Sequence, residues 1–479
     1  MAPTYKLTKS EPRAGSPTDT VESQRRDLLQ SGRLVSLDAY RGFIMIVLAA
    51  HGFGFSDFAE LPRDAPAWKT ADYDTWQTIG FHFRHAKWVA IDNIHGIAFW
   101  DLIQPSFMFM VGVAMPFSVL RRSAAGQASW KRLIHALIRS VVLVLLGVFL
   151  YSLQHPRTNW IFPNVLAQIG LGYFFVYLLL NRSKRIQLTA LALILVGYWS
   201  LFYFNPAPED YDYAAVNADI ENGEVFTDQM APWSKNGNVA FRFDQWLLPQ
   251  LRTLRGEEIS TTEEQAADSN TESLHDVVPE STFLPSLVRQ WFFSNPNEYR
   301  FNRSGYTTLN FVPSMATMLL GVLCGQLLMC GKSRGYKVSR LLVAGAVCLS
   351  LGMAVHLTVC PIIKVIWTPG WTLFSGGCVI WMLAAFYTVF DILPFGKLAW
   401  PLQVVGLNSL AVYLMGQLLH NWVGEKVVAI HLSGVLESIF GADAMSDDLF
   451  GRIIEPTSVV LVLWLAAVYM YRHRIFVRV

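Results

Sequence analysis

Asp101 stands in Phe99-Trp100-Asp101-Leu102-Ile103-Gln104-Pro105-Ser106-Phe107-Met108-Phe109-Met110-Val111-Gly112, an acid at the mouth of a run otherwise apolar enough to cross a bilayer. An unpaired carboxylate at membrane depth costs at least ~2.5–3.5 kcal/mol, so an ionisable residue there marks a functional site by default. Upstream, Phe81-His82-Phe83-Arg84-His85-Ala86-Lys87-Trp88 carries the nearest bases. A histidine and a carboxylate that converge at a membrane surface can move protons at neutral pH.

The elements that must position these groups are membrane helices. The 479 residues are 53% hydrophobic and 15% charged, and several apolar stretches reach the roughly 20 residues needed to cross about 30 Å of hydrocarbon. The net charge of +2 is uninformative, because the distribution of Lys and Arg sets topology, and nothing suggests a nucleic-acid partner. Cys324, Cys330, Cys348, Cys360 and Cys378 lie in or beside apolar spans with no disulfide or metal-ligand spacing, so they read as packing residues and no metal is expected. Residues 1–32 are polar and read as a disordered tail.

Ten spans are expected, at 34–55, 98–119, 133–153, 161–180, 186–204, 309–330, 338–359, 370–390, 401–421 and 455–472. The fold class is therefore an all-α polytopic membrane protein with about ten transmembrane helices. Residues 33–204 form a first bundle half with an outer loop at 56–97, 205–308 a large outer insertion between the fifth and sixth helices, and 309–479 a second half. The short loops carry Arg25, Arg26 and Arg33, then Arg121, Arg122, Lys131 and Arg132, then Arg182, Lys184 and Arg185, then Lys332, Arg334, Lys337 and Arg340, and finally Arg472, Arg474 and Arg478. All of these fall on one side of an even-numbered topology. The positive-inside rule makes that side, and both termini, cytoplasmic. In a bacterium the expectation is an inner (cytoplasmic) membrane protein with 56–97 and 205–308 facing the periplasm.

Residues 205–306 carry 17 Asp and Glu against 7 Lys and Arg, an acidic insertion unsuited to anionic partners and too long for a simple connection. Ala231-Pro232-Trp233-Ser234-Lys235-Asn236 and Phe241-Arg242-Phe243-Asp244-Gln245-Trp246 mix aromatic faces with polar edges, which suits either a lid on the bundle or a sugar site; 256–281 reads as filler. In the first span, Asp38 and Arg41 are three apart on one helical face. They form a neutralising pair, or Arg41 holds an anionic group entering from the cytoplasm. Asn408, in Gly406-Leu407-Asn408-Ser409, places an amide near membrane depth, where interhelical hydrogen bonding is its common role.

The array Ser36-Leu37-Asp38-Ala39-Tyr40-Arg41-Gly42, then His85-Ala86-Lys87-Trp88, then Asp101-Leu102-Ile103-Gln104-Pro105 with Phe107, Phe109 and Gly112, resembles the heparan-α-glucosaminide N-acetyltransferase family and its bacterial relatives. Pro313-Ser314-Met315-Ala316-Thr317-Met318-Leu319-Leu320-Gly321-Val322, the stretch from Trp367-Thr368-Pro369-Gly370-Trp371 to Gly377, and Gly406-Leu407-Asn408-Ser409 follow in the same order. The resemblance covers roughly residues 33–474 apart from much of the insertion. It implies a transmembrane enzyme that takes acetyl from cytoplasmic acetyl-CoA, as co-substrate, and delivers it to an amino sugar on the far side. The implied active histidine is His85. Where the lysosomal branch has an asparagine, this chain has His51.

The chemistry can be stated apart from the family. An amine attacks a thioester only when unprotonated, so a base must take its proton and a fixed donor must meet the developing oxyanion. His85 supplies the base, or is itself transiently acetylated. Asp101 fixes its tautomer, and His51 or Asn408 offers the donor; His82 and His95 are competing loop histidines. Arg41, with Asp38 beside it, and the pair Arg121 and Arg122 are the candidates for the phosphates of coenzyme A. The expected partners are the bilayer, acetyl-CoA and an amino-sugar or glycan acceptor, and a homodimer is compatible with the sequence. Two other classes stay open: a proton-coupled transporter, although no internal repeat is evident, and a noncatalytic protein that binds or assembles envelope glycans.

Overall fold

Hydrophobic length dictates the architecture. The computed structural model describes residues 34–92, 94–251, 293, 299–441 and 443–477; the tail 1–32, the filler 256–281, Arg25, Arg26, Arg33 and Arg478 lie outside the described residues. The helices are α1 (Val35–Ala49), α2 (Phe55–Ala59), α3 (Tyr73–His82), α4 (Ile103–Ala124), α5 (Ser129–Ser152), α6 (Val165–Leu180), α7 (Lys184–Tyr203), α8 (Val239–Gln250), α9 (Phe311–Met329), α10 (Arg334–Thr358), α11 (Pro369–Tyr387), α12 (Trp400–Leu407), α13 (Ser409–Val423), α14 (Ser433–Phe440) and α15 (Gly451–Arg472). A two-stranded hairpin, β1 (Ile91–Asp92) with β2 (Gly96–Ile97), pairs Ile91 with Ile97 and Asp92 with Gly96.

Among the described residues, seven helices are long and apolar enough to cross a membrane, and two bent pairs raise the number to nine. The remaining expected span, α6, has 16 residues and reaches about 24 Å at 1.5 Å per residue. That is short of the hydrocarbon thickness. Ile161 and Phe162, in the segment ahead of it, are buried. Helices α4 and α9 form the middle of the bundle, with 67% of the most apolar window of the α9 segment buried, whereas α7 and α10 bury 22% of theirs. The outward faces of these peripheral helices, such as Leu188, Leu193 and Val196 on α7 and Val343, Val347 and Leu351 on α10, are exposed apolar side chains suited to lipid.

Two close approaches set the helix spacing. A side chain at Gly42 would collide with the carbonyl of Leu402, and one at Gly406 with that of Asp38, so α1 and α12 pack backbone to backbone. The same holds for α4 and α9, where Gly112 faces Met318 and Gly321 faces Phe109. Asp391 caps α1 by accepting the N–H groups of Val35 and Ser36 at 3.0 and 3.1 Å. At its other end α1 breaks: His51, Gly52, Phe53 and Gly54 all take left-handed φ values of 46–67°, and the chain bends by 53° into α2.

The described part of the insertion folds down as a cap. Trp233, Asn236 and Phe241 are each buried to 1% exposure, and Trp233 packs with Trp88, Tyr198, Phe202 and Ile363. This corrects the sugar-site reading of Trp233 and Asn236. The Asn236 NH2 group donates to the carbonyls of Val216 and Asn302 inside the cap.

Candidate functional site

Asp101 lies in the 3₁₀ turn Phe99–Leu102 that starts α4, where the helix dipole favours a negative group. It is 1% exposed. Three donors surround the carboxylate. His85 Nδ1 is 2.9 Å from Oδ1, the Ala86 N–H donates to Oδ2 at 3.1 Å, and the Lys364 ammonium donates to Oδ1 at 2.8 Å. Lys364 Nζ is also 3.0 Å from His85 Nδ1. With Nδ1 protonated, His85 donates to Asp101 and keeps its lone pair on Nε2, the form a general base needs. The His85 side chain is 63% exposed, so it sits at the rim of the site and not in its core.

Lys364 belongs to the loop 359–368, which is largely buried from Cys360 onward. Irregular backbone is tolerated at depth only when its polar groups are satisfied by protein. Here they are. Tyr198 donates to the Ile366 carbonyl, Asn310 to that of Val365 and Thr368 to that of Pro361, while Ala90 N–H donates to Ile362 and ties the His85 loop to the Lys364 loop. The Trp88 indole donates to Trp233, fixing the same loop to the cap. Burial works against the Lys364 charge, but Tyr306 and Asp101 beside the ammonium outweigh it and hold its pKa above the ordinary lysine value.

His85, Lys364 and Tyr306 line a cavity of about 260 Å³ together with Trp100, Gln104, Tyr413 and Gln417. A second cavity, of about 950 Å³, lies toward the Arg- and Lys-rich end of the bundle and is lined by Arg41, Arg121, Arg122, Arg139, Lys332, Arg334 and Lys337 against one acid, Asp38. The same four regions wall both: α1, α4, α6 and the α12–α13 segment. Phe107 lines both cavities and stacks on Tyr413, ring centroids 6.2 Å apart. Phe107 is thus the residue common to the two linings.

Of the residues expected from sequence, His85 and Asp101 meet, and Arg41, Asp38, Arg121 and Arg122 share the basic cavity. Arg41 lies 4.0 Å from Asp38 and donates to the Met110 carbonyl at 3.4 Å, while Arg122 contacts His135 at 2.8 Å. His51 and Asn408 are corrections. The break after α1 turns His51 outward, where its ring stacks on His420 at 3.8 Å, and it lines neither cavity. Asn408, fully buried at the α12–α13 junction, spends its amide on the C-terminal segment: it donates to Ile475 and accepts from the Val477 N–H. Neither lines the cavity that His85 lines. His95 is bound to Asp92 and stacked on Phe81, and neither it nor His82 lines either cavity.

Lys364 is the residue that sequence reasoning missed. Its signal was present: it is the sole Lys, Arg, Asp or Glu between Arg340 and Asp391. No family model matches this chain, and no curated protein matches it.

Proposed function

We propose that the protein is a transmembrane acyltransferase that carries an acetyl group from acetyl-CoA at the basic end of the bundle to an amino-sugar acceptor in the His85 cavity. The observation that carries this reading is the pair of cavities that share Phe107, a cation-lined chamber on one side and on the other a chamber lined by His85, which Asp101 and Lys364 hold. Seven cationic side chains around about 950 Å³ suit the phosphates of a nucleotide thioester, in a cavity near the top of the roughly 300–1,000 Å³ range of small-molecule sites. By the positive-inside rule that end is cytoplasmic, which puts His85 on the outer face of an inner membrane. The resemblance of the motifs around Asp38, His85 and Asp101 to the N-acetyltransferases of heparan α-glucosaminide points to the same donor and acceptor.

In this reading the acceptor nitrogen attacks the thioester carbonyl and Nε2 of His85 takes the amine proton as the N–C bond forms; the tetrahedral oxyanion then collapses, the C–S bond breaks, and His85 returns the proton to the departing thiolate. Asp101 stabilises the imidazolium between those events. Lys364 and the phenol of Tyr306 are the cavity donors placed to meet the oxyanion, in the role first expected of His51 or Asn408. Trp100, Gln104 and Gln417 give the chamber the mixed stacking and amide chemistry that a single sugar ring requires.

The test is transfer from labelled acetyl-CoA to a panel of amino sugars by the purified protein in proteoliposomes. The expected result is N-acetylation by the wild type and a loss of roughly 10²–10⁴-fold in His85→Ala, with acetyl-CoA binding retained. Equal transfer by wild type and His85→Ala, or none with any acceptor, refutes the reading.

A further inference from the structure

We propose that Phe107, backed by Tyr413, is the sieve that fixes the length of the acyl group, a role that rests on the acyltransferase reading. The geometry is specific. Phe107 is six residues beyond Asp101 on the same helix, so its Cα lies about 9 Å down the axis from the carboxylate that holds His85. Its neighbours one turn further on, Met110 and Val111, line only the basic cavity, whereas Ile103 and Gln104, one turn back, line only the His85 cavity. On α13 the same boundary falls between Leu410 and Tyr413, and on α6 between Leu166 and Val165. All three helices contribute to both chambers, and Phe107 is the one residue common to both linings.

A thioester held by its phosphates in the basic cavity must therefore present its carbonyl past this ring to reach a nucleophile in the other chamber. The Tyr413 ring beside it is fixed, since its hydroxyl accepts from Asn164 at 3.3 Å, so Phe107, half-buried and with no polar group to hold it, is the member that turns. The His85 cavity, about 260 Å³, must also hold the acceptor, which leaves no space there for a long acyl chain. The methylenes beyond an acetyl group would have to lie at the Phe107 layer. An aromatic ring there excludes them, because one methylene too many in a closed apolar site is worth about 10–200-fold in discrimination.

The experiment compares transfer from acetyl-, butyryl- and hexanoyl-CoA by wild-type protein, Phe107→Leu and Phe107→Ala in proteoliposomes. Expected are a strong wild-type preference for acetyl and a butyryl-to-acetyl ratio of kcat/KM that rises at least tenfold in Phe107→Ala and by a smaller factor in Phe107→Leu. Activity of the wild type on acetyl-CoA tests the acyltransferase reading by itself, whereas the ratio tests the sieve. Active variants with an unchanged ratio overturn it. If Phe107→Ala does not fold, the ratio in Phe107→Leu decides by the same criterion, and inactivity of both variants with acetyl-CoA still bound overturns it as well.

Discussion

Removing the Lys364 charge should strand Asp101 and expose how the site is held together. The two side chains are 6% and 2% exposed and 2.8 Å apart, so neither ion has water to fall back on. Deleting one partner of such a pair typically costs about 3–5 kcal/mol, because the charge left behind keeps its desolvation penalty. Asp101 would retain the Ala86 N–H and His85. Since His85 is 63% exposed, solvent screens most of the compensation it can offer. Lys364→Met should therefore destabilise the protein by about 3 kcal/mol, and Asp101→Asn by a similar amount because it leaves the ammonium buried. The double variant Lys364→Met/Asp101→Asn removes both charges and should lose at least about 2 kcal/mol less than the sum of the singles. Equilibrium unfolding of the four proteins by SDS in mixed micelles measures the cycle. A coupling below about 0.5 kcal/mol, the scatter found for independent sites, would refute the claim that this pair anchors the His85 loop to the 359–368 loop.

Arg41→Ala should weaken acetyl-CoA binding by about 1.5–3 kcal/mol, the worth of a charged hydrogen bond, with acceptor affinity unchanged; calorimetry showing equal coenzyme affinity would leave Arg41 as the partner of Asp38 alone. Asn408→Ala should release the 473–477 segment at a cost of about 1–3 kcal/mol, read as faster amide exchange confined to that segment and its α12–α13 contacts. The cap should carry a pH dependence through Asp244, whose pKa burial pushes up to about 7 even though Thr308 N–H donates to it at 2.9 Å. The native state then holds a proton that the unfolded chain, titrating near 4, gives up earlier. Stability from this group is fully present below about pH 4 and lost as pH rises through about 7, by up to a few kcal/mol. Asp244→Asn should flatten the decline between those limits in melting experiments, and an unaltered slope would assign the dependence elsewhere.

Most of the helical frame was legible because hydropathy is a local property: each of the ten expected apolar stretches coincides with a helix or a bent helical pair. What hydropathy could not show was where a span breaks. His51-Gly52-Phe53-Gly54 reads as a continuation of the first span, yet two glycines allow a left-handed turn that leaves His51 exposed and outside the lining of the His85 cavity. Asn408 misled for a related reason, since an amide at a helix junction finds backbone partners, and those partners came from a segment 67 and 69 residues downstream. His85 and Asp101 were readable as a pair because they are 16 residues apart on adjoining elements. Lys364 is 263 residues from Asp101, and no periodicity connects them. Its position does follow from a physical requirement: a carboxylate that carries charge at the mouth of an apolar helix needs a buried cation. The long apolar stretch between Arg340 and Asp391 contains a single Lys or Arg, so the energetic demand of Asp101 for a counter-ion makes Lys364 a candidate where sequence spacing does not.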